Sequence, residues 1–322
     1  MLITFEQLQN KFETILVNYG FSVERAQLCA NIFAGNSRDG IHSHGLNRFS
    51  AFIQHVKEGF IKPQATPEAI NREGVIEHWN GKLAPGMYTA TLAMRQAIAI
   101  AKENSMGCVT VKNTNHWMRG GTYGWQAADE GCIGICATNT IGNMPPWGGV
   151  GARLGNNPLV IAVPRKEGHV VLDMAMSQFS YGKMQEYQLA GKELPVAGGY
   201  DDQGNLTTNP ARIRESQRTL PIGFWKGSGL SLMIDLLVAG LSGGRTVGEI
   251  TSMKNEYGLS QVFICIDARN VSESIINNII SYTKGSEPFV RYPGEQVLAT
   301  RKKSLEEGII VNDEIWQQVL ML

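Results

Sequence analysis

The sequence predicts an α+β fold rather than a doubly wound parallel α/β fold. Residues 1–70 show helical periodicity, and an amphipathic helix returns at residues 298–322. Between them, short segments rich in Val, Ile and aromatic residues alternate with helices. Two of these segments flank residues 164–168, a connection too short for the helical crossover of a parallel pair, so they form an antiparallel hairpin.

Capping residues predict the boundaries of the first three helices. Thr4 is the predicted N-cap of a helix that ends at Gly20, and Ser22 is the predicted N-cap of the second helix. Ser43 is the predicted N-cap of a third helix that stops at Gly59. Apolar side chains recur at helical spacing in the first two helices, at Phe5, Leu8, Phe12, Ile15, Leu16, Ala26, Cys29, Ile32 and Phe33. Residues 62–67 contain two prolines and form a connector.

After residue 74 the pattern becomes one of strands mixed with helices. Predicted strands cover residues 75–79, 108–112, 132–138, 159–163, 169–174 and 261–267. Predicted helices cover residues 85–104, 122–130 and 229–241, and helix resumes from residue 294. We expect the C-terminal helix to pack against the N-terminal ones. Residues 1–72 and about 270–322 then form one helical domain, and residues 73–269 form a sheet domain.

Composition limits the classes of partner. Lys plus Arg and Asp plus Glu both number 29, and no long run of either sign occurs, which argues against a nucleic-acid or membrane-surface partner. The five cysteines contain no C-x-x-C pair, which argues against a disulfide framework or zinc site and favours reduced thiols. The N-terminus lacks a signal-peptide pattern, and no stretch reaches about 18 uninterrupted apolar residues. We therefore expect a cytoplasmic protein.

Two polar clusters carry the candidate chemistry. In residues 41–49, His44 and Arg48 are four residues apart and share one face of the predicted third helix. An imidazole transfers protons near neutrality, because its unperturbed pKa is about 6.5, and a guanidinium binds a carboxylate bidentately. The second cluster, residues 113–124, places His116 after a strand and before a glycine-rich turn, where enzymes often carry reactive groups. Each cluster taken alone also fits a surface helix or loop.

No G-x-G-x-x-G motif stands between a strand and a helix. Residues 223–229 are rich in glycine and precede an apolar helix, so Ser228 is a candidate cap, Lys226 a candidate anion ligand and Trp225 a flat apolar wall. Residues 170–177 form an apolar strand that ends in small and polar residues, where a flat ring fits against the backbone. Residues 223–229 also fit an ordinary glycine-rich helix cap with a surface lysine, and residues 170–177 also fit a plain core strand.

Metal binding is the competing use of the histidines. His42, His44 and His116 together supply three nitrogen ligands, but no H-E-x-x-H motif is present and Asp39 is the only acid nearby. We therefore expect no metal. The other histidines, His55, His78 and His169, show no partner pattern and are expected to be structural.

Together these residues resemble the malate/L-lactate dehydrogenase family that lacks a Rossmann domain, and within it the 2,3-diketo-L-gulonate reductases. The matching segments follow one order along nearly the whole chain: SHG at 43–45 with Arg48, NHWMRGG at 115–121, MPPWG at 144–148, NPL at 157–159, DMAMS at 173–177, FSYG at 179–182, LPV at 194–196, GGYDD at 198–202 and WKGSG at 225–229. The members most similar to this chain carry histidine where it has Glu295. The chain is also slightly shorter around residues 253–256 and near Gly285, and both places are expected to lie away from the proposed chemistry.

The resemblance implies a cytoplasmic, homodimeric, nicotinamide-dependent reductase whose cofactor lies on a mostly antiparallel, mixed, non-Rossmann sheet. It assigns cofactor binding to His169, Val170, Val171, Leu172, Asp173, Met174, Ala175, Trp225, Lys226, Gly294, Glu295 and Gln296. NADH is the expected cofactor and NADPH the alternative. The choice between them stays open, because this fold lacks the acidic residue that reads the ribose in a Rossmann domain and would decide it there.

The expected reaction reduces a small 2-keto or 2,3-diketo sugar acid, and most specifically 2,3-diketo-L-gulonate to 3-keto-L-gulonate. Protonated His44 donates to the carbonyl oxygen, Arg48 binds the substrate carboxylate, and His116 orients the polyol or assists the oxyanion. The active site is then expected between the helical and sheet parts, with the second subunit as a further candidate contributor.

Three alternatives stay open at this point. The same chemistry fits malate, lactate, ureidoglycolate or sulfolactate. A metal-dependent hydrolase or lyase would use the three histidines, and a non-catalytic protein would bind a sugar acid without turnover.

Overall fold

The computed structural model describes residues 1–322. Its α-helices are α1 (Phe5–Asn18), α2 (Val23–Arg38), α3 (Leu46–Lys57), α4 (Gly86–Asn104), α5 (Gly121–Asp129), α6 (Tyr181–Leu189), α7 (Pro210–Ser216), α8 (Trp225–Ser242), α9 (Val247–Ser252), α10 (Glu273–Lys284), α11 (Glu295–Glu307) and α12 (Asp313–Leu320). Its strands are β1 (Leu2–Ile3), β2 (Glu68–Glu73), β3 (Ile76–Asn80), β4 (Met106–Thr114), β5 (Cys132–Thr138), β6 (Leu159–Val163), β7 (Val170–Met174), β8 (Gly199–Tyr200), β9 (Leu206–Thr207), β10 (Leu259–Asp267) and β11 (Ile309–Ile310).

The first two helices begin where the sequence predicts. Thr4 Oγ1 accepts the Gln7 N–H at 3.1 Å while the Gln7 side chain accepts the Thr4 N–H at 3.0 Å, which completes a capping box. Ser22 caps α2 through the N–H of Arg25. Gly20 follows α1 with φ +86°, a conformation that glycine adopts without strain.

The C-terminal end of the chain packs into the same core as helices α1 to α3. Trp316 and Val319 of α12 are buried together with Phe12, Phe33 and Phe49. β1 and β11 pair antiparallel, so the two ends of the chain also share backbone hydrogen bonds. The boundaries of the helical and sheet domains near residues 72 and 270 stay a prediction.

The main sheet has seven strands in the order β2-β3-β4-β10-β5-β6-β7. Only β3 and β4 are parallel, and every other neighbouring pair is antiparallel. β6 and β7 form the predicted hairpin, with Leu159 opposite Met174 and Val163 opposite Val170. This confirms the α+β, mostly antiparallel and non-Rossmann fold.

Helices cover both faces of this sheet. On one face α4 and α5 pack against alternate residues of the strands, including Val109, Val111 and Phe263. On the other face α8 packs through Ile234 and Val238. All five cysteines are buried and unpaired. No helix is both long and apolar enough to cross a membrane.

The structure differs from the local predictions at three places. The predicted helix from residue 294 to the C-terminus is interrupted by β11, which separates α11 from α12. Strand β2 was not expected, because all its residues are exposed and show no apolar alternation. Helix α8 begins at Trp225 rather than Gly229, with Phe224 as its N-cap. Ser228 therefore lies inside the helix rather than capping it, and its Oγ accepts the Trp147 N–H at 2.9 Å.

Helices α6, α7, α9 and α10 were not predicted either. Three of them have at most nine residues, and the fourth buries none of its side chains. The three short helices give little periodic signal, which explains why the pattern did not reveal them. Helix α10 has isoleucines at helical spacing, at positions 275, 276, 279 and 280, and the prediction overlooked them.

Candidate active site

His44 lies on a short 3₁₀ turn, His42–His44, that connects α2 to α3. The prediction that Ser43 caps the third helix is wrong, because Gly45 is the N-cap of α3. Ser43 Oγ instead hydrogen-bonds to Nδ1 of His44 at 3.0 Å. His44 and Arg48 therefore do not share one helix, although the charge of Arg48 still acts on the imidazole.

Side chains of α2 hold this turn in place. Ser37 Oγ accepts the Leu46 N–H at 2.9 Å and so satisfies the start of α3. Asn36 Nδ2 donates to the carbonyl oxygen of His44 at 2.9 Å. A Cβ atom at Gly45 would come within 2.2 Å of Ser37 Oγ, so this close approach of α2 to the turn requires glycine.

His116 follows β4, and neighbouring groups fix its backbone and its ring. The Asn115 amide donates to three carbonyl oxygens, those of Phe60, Leu83 and Ala84. The Met118 N–H donates to Nδ1 of His116 at 3.0 Å. Because Nδ1 accepts, the neutral imidazole carries its hydrogen on Nε2.

The structure brings the two predicted clusters together. The rings of His44 and His116 lie 5.7 Å apart, centroid to centroid, at an interplanar angle of 18°. Burial, reinforced by the neighbouring imidazole and by Arg48, lowers the pKa of His44 to about 3. Burial and the charge of Arg48 lower the pKa of His116 to about 3 as well. Both imidazoles are therefore neutral at pH 7.

A small cleft opens beside the ring of His116. Its walls are Arg48, Ala51, Phe52, His55, Ile61, Asn115, His116, Met118 and Glu256. Arg48 is the only lysine or arginine among them, and its guanidinium forms no ion pair with a carboxylate of the chain. An unpaired guanidinium beside two neutral imidazoles can hold a carboxylate while an N–H group faces a neighbouring carbonyl oxygen.

Sequence reasoning missed two residues of this cleft, His55 and Glu256. His55 was expected to be structural, although it lies seven residues after Arg48 on α3, a spacing that returns to the same helix face. Glu256 lies in the loop between α9 and β10, and its Oε1 is 3.9 Å from Nε2 of His116. The expectation that residues 253–256 lie away from the chemistry is therefore wrong for Glu256. No spacing rule connects it to the histidines, so only the tertiary structure reveals its position.

The predicted cofactor residues fall in two groups along β7. At its start, the Val171 N–H donates to the Pro293 carbonyl oxygen at 2.9 Å, which places Gly294 next to the strand. His169 Nε2 lies 3.0 Å from Asp129 Oδ1. Residues 294–296 and 169–171 therefore adjoin one another.

Glu295 itself is engaged within the chain. Its carboxylate accepts a hydrogen bond from Lys284 Nζ at 2.5 Å and from the Tyr292 N–H at 3.2 Å. The Glu295 N–H donates to the Tyr292 carbonyl oxygen at 3.1 Å, so its backbone donor is engaged within the chain as well.

At the other end of β7 the chain contacts the loop before α8. The Ile222 N–H donates to the Met176 carbonyl oxygen at 2.8 Å. Trp225 and Lys226 follow in the first turn of α8, with Trp225 64% exposed. The predicted residues of the strand, 170–175, thus run from the Gly294 segment to the α8 segment.

Arg119 connects the histidine pair to β7. Its Nη1 donates to Asp39 Oδ2 at 2.8 Å, and its Nε lies 3.9 Å from Asp173 Oδ2. Asp173 Oδ2 also accepts the Gly121 N–H at 2.8 Å. The charge of Arg119 acts on His44, so the two predicted groups belong to one region of the molecule.

The histidines are not arranged as a metal site. No group of three or more His, Cys, Asp or Glu side chains has the geometry to hold an ion. The cleft instead presents the neutral imidazole of His116, on which His44 stacks, and one free guanidinium.

Comparison with known sequences gives matches along the whole chain. The profile of the family described as malate/L-lactate dehydrogenase matches residues 3–320. A 2,3-diketo-L-gulonate reductase from Citrobacter koseri is 43% identical over 333 residues, with 100% of both chains covered. The enzyme of that name from Escherichia coli K12 is 42% identical over the same coverage.

Comparison with solved structures gives the same fold. Malate dehydrogenase from Entamoeba histolytica superposes with a TM-score of 0.94 at 24% identity, covering 100% of this chain and 96% of the other. Sulfolactate dehydrogenase from Methanocaldococcus jannaschii superposes with a TM-score of 0.86 at 28% identity, covering 99% and 95%.

Proposed function

Because this chain belongs to the malate/L-lactate dehydrogenase family and is an oxidoreductase acting on CH–OH groups, we propose that it reduces a small 2-keto or 2,3-diketo sugar acid. The substrate that the relatives favour is 2,3-diketo-L-gulonate, with 3-keto-L-gulonate as product. The observation that carries the proposal is the pair of stacked imidazoles, His44 and His116, beside the unpaired guanidinium of Arg48.

A nicotinamide cofactor fits the residues along β7. Lys226 lies in the first turn of α8, where its ammonium group and the helix dipole favour an anion such as a phosphate. Trp225 offers an exposed flat ring beside it. At the other end, the buried Trp125 Nε1 has no hydrogen-bond partner and its ring lies against Gly294. We take NADH as the reductant and NADPH as the alternative; when bound, it supplies a hydride to the substrate carbonyl carbon.

The proposed roles follow from charge and hydrogen bonding. Arg48 binds the substrate carboxylate, because it is the one free cation of the cleft. His44 delivers a proton to the carbonyl oxygen, on which negative charge grows during reduction. His116 donates its Nε2 hydrogen to a substrate oxygen, because its Nδ1 is occupied by the Met118 N–H.

Protonation of His44 is coupled to substrate binding in this proposal. In the free protein its pKa is about 3, because burial disfavours the charged form. A bound anionic substrate offsets the charge of Arg48 and favours the imidazolium. The proton therefore enters from solvent as the complex forms.

We also propose a homodimer in the cytoplasm. Helix α8 exposes six large apolar side chains, at Leu230, Leu232, Met233, Leu236, Leu237 and Leu241. Such an exposed apolar surface suits a second copy of the chain. The five unpaired thiols suit a reducing compartment. A second copy is then a candidate contributor to the active site.

The second candidate function is that of a 2-hydroxy acid dehydrogenase acting on malate, lactate, ureidoglycolate or sulfolactate. Its support is the shared fold with malate and sulfolactate dehydrogenases. It uses the same proton donor and differs only in what fills the cleft.

Loss of absorbance at about 340 nm tests the proposal, with purified protein, NADH or NADPH, and a panel of 2-keto and 2,3-diketo acids. We expect the fastest oxidation with 2,3-diketo-L-gulonate. Turnover with simple keto acids alone would favour the second candidate. A panel without turnover, together with measurable metal content, would overturn both.

A further inference from the structure

We propose that Glu256 selects keto acids whose far end carries hydroxyl groups and rejects keto acids that carry a second carboxylate. This inference rests on the proposed function and assigns a specificity-determining residue within the same cleft. Glu256 belongs to none of the segments that sequence reasoning assigned to catalysis or cofactor binding.

The loop that carries Glu256 is held rigidly. The ring of Tyr257 stacks on Phe60 with centroids 4.7 Å apart and an interplanar angle of 20°. The guanidinium of Arg245 lies 5.2 Å from the centroid of the Tyr257 ring. These contacts tie the loop to the segment after α3 and fix the position of the carboxylate.

One carboxylate oxygen of Glu256 is engaged and the other is free. Oε2 accepts the backbone N–H of Ile141 at 3.1 Å. Oε1 has no donor nearer than Nε2 of His116, at 3.9 Å, and only 14% of the side chain is exposed. A largely buried carboxylate with an unused acceptor oxygen at a substrate cleft is suited to hydroxyl donors.

The charges of the cleft fit a substrate with one carboxylate. Arg48 supplies one positive charge and Glu256 one negative charge. In the free protein the neighbouring imidazoles add none, because burial lowers the pKa of His44, His55 and His116. The proton that His44 takes up with the first carboxylate is the one it gives to the carbonyl oxygen, so it does not compensate a second carboxylate. Arg119, the next cation, is already paired with Asp39 at 2.8 Å. After Arg48 has bound one carboxylate, a second meets Glu256 without a compensating cation.

Hydroxyl groups at the same place have the opposite effect. A hydroxyl donates to Oε1 and can accept from Nε2 of His116, which lies within reach of the same position. Glu256 thus favours a polyol tail, whose hydroxyl groups donate hydrogen bonds to it, over a second carboxylate, which its charge repels.

The test compares kcat/KM for 2,3-diketo-L-gulonate with kcat/KM for oxaloacetate in the wild type and in Glu256→Gln. Glutamine keeps an acceptor for the Ile141 N–H but removes the charge. We expect the ratio to move toward oxaloacetate by at least about tenfold, which corresponds to about 1.4 kcal/mol. Glu103→Gln, on the exposed C-terminal end of α4, is the matched control and should leave the ratio unchanged.

An equal fall for both substrates, with the ratio unchanged, would overturn the proposal, because Glu256 would then act only through His116 or the loop. If none of the keto acids supports NADH oxidation by the wild type, the proposed function is refuted, and this inference with it. The two failures are therefore distinguishable in one experiment.

A second measurement needs no variant and covers the case in which Glu256→Gln does not fold. L-Threonate and malate are four-carbon 2-hydroxy acids that differ at the far end. There L-threonate carries hydroxyl groups and malate carries a second carboxylate. We expect L-threonate to inhibit the wild type with an inhibition constant at least about tenfold lower than that of malate. Equal or tighter inhibition by malate would overturn the proposal.

Discussion

The imidazole rings of His44 and His116 lie almost parallel, with centroids 5.7 Å apart, although one ring comes from a turn between helices and the other follows a strand of the sheet. Burial keeps both rings neutral in the free protein, since it lowers the pKa of each to about 3. The protonation state of this pair therefore depends on what binds beside it.

Replacement of His44 tests the proton donor. His44→Gln is expected to lower kcat for keto acid reduction by about 10² to 10⁴, the usual contribution of a general acid. Binding of NADH, followed by fluorescence, should change little. His78→Gln is the matched control, because His78 only hydrogen-bonds Thr110 on the neighbouring strand. An unchanged kcat in His44→Gln would exclude His44 as the donor.

The pH dependence of kcat/KM tests the neutral state of the free site. The donor has a pKa of about 3 before substrate binds, so reduction requires uptake of one proton above that pH. We expect kcat/KM for the keto acid, at saturating NADH, to fall about tenfold per pH unit between about pH 6 and 8. In the oxidation direction the neutral imidazole is already the base, so kcat/KM should stay flat. A plateau for reduction across this range would contradict the low pKa.

Arg48 is expected to determine the affinity for the substrate carboxylate. Arg48→Lys keeps the charge but loses the planar pair of donors. We expect kcat/KM for the keto acid to fall about tenfold to a hundredfold, the range for lost hydrogen bonds to a charged group. The KM for NADH should not change. Arg95→Lys, an exposed change on α4, serves as control; equal kinetics in both variants would argue against carboxylate binding by Arg48.

Lys226 is expected to contribute to cofactor affinity through its charge. The residue lies in the first turn of α8, where anions are favoured. Lys226→Gln should raise the Kd for NADH about twofold to fivefold, as expected for an exposed charge pair, and the difference should shrink in high salt. Lys11→Gln on α1 is the control. An unchanged Kd measured by quenching of tryptophan fluorescence would remove Lys226 from the proposed site.

Asp39 is expected to stabilise the contact between α2, α11 and the His116 loop. Arg301 donates to both its oxygens, at 2.8 and 2.7 Å, and Arg119 donates at 2.8 Å. Burial alone would raise the pKa of Asp39, but the hydrogen bonds from Arg301 and the charge of Arg119 lower it. Asp39→Asn should reduce the free energy of unfolding at pH 7 by about 3 to 5 kcal/mol, because it leaves buried cations unpaired.

The effect of this substitution depends on pH. The stability that Asp39 contributes is present above its unfolded-state pKa of about 3.9 and is lost as pH falls through the lower folded-state value. Urea unfolding of the wild type and Asp39→Asn should therefore differ most near neutrality and converge in acid. A difference that stays constant down to about pH 2 would show that the charge of Asp39 is not the cause.

Local rules predicted those parts of the fold that depend on neighbouring residues. The caps at Thr4 and Ser22 need only backbone N–H groups a few residues away. The β6–β7 hairpin follows from the length of its connection. The same rules did not predict β2, because an exposed strand depends on its pairing with β3 and not on an apolar pattern of its own.

The candidate site divides in the same way. The sequence by itself determined the chemistry: His44, Arg48 and His116 carry side chains suited to proton transfer and carboxylate binding, and the chain matches its family from end to end. The tertiary structure alone decided the arrangement. It broke the helix at Gly45 and brought Glu256 to His116. Residues far apart in the chain meet only when helices and sheet pack into a shared core, and that packing is a collective result that no local pattern records.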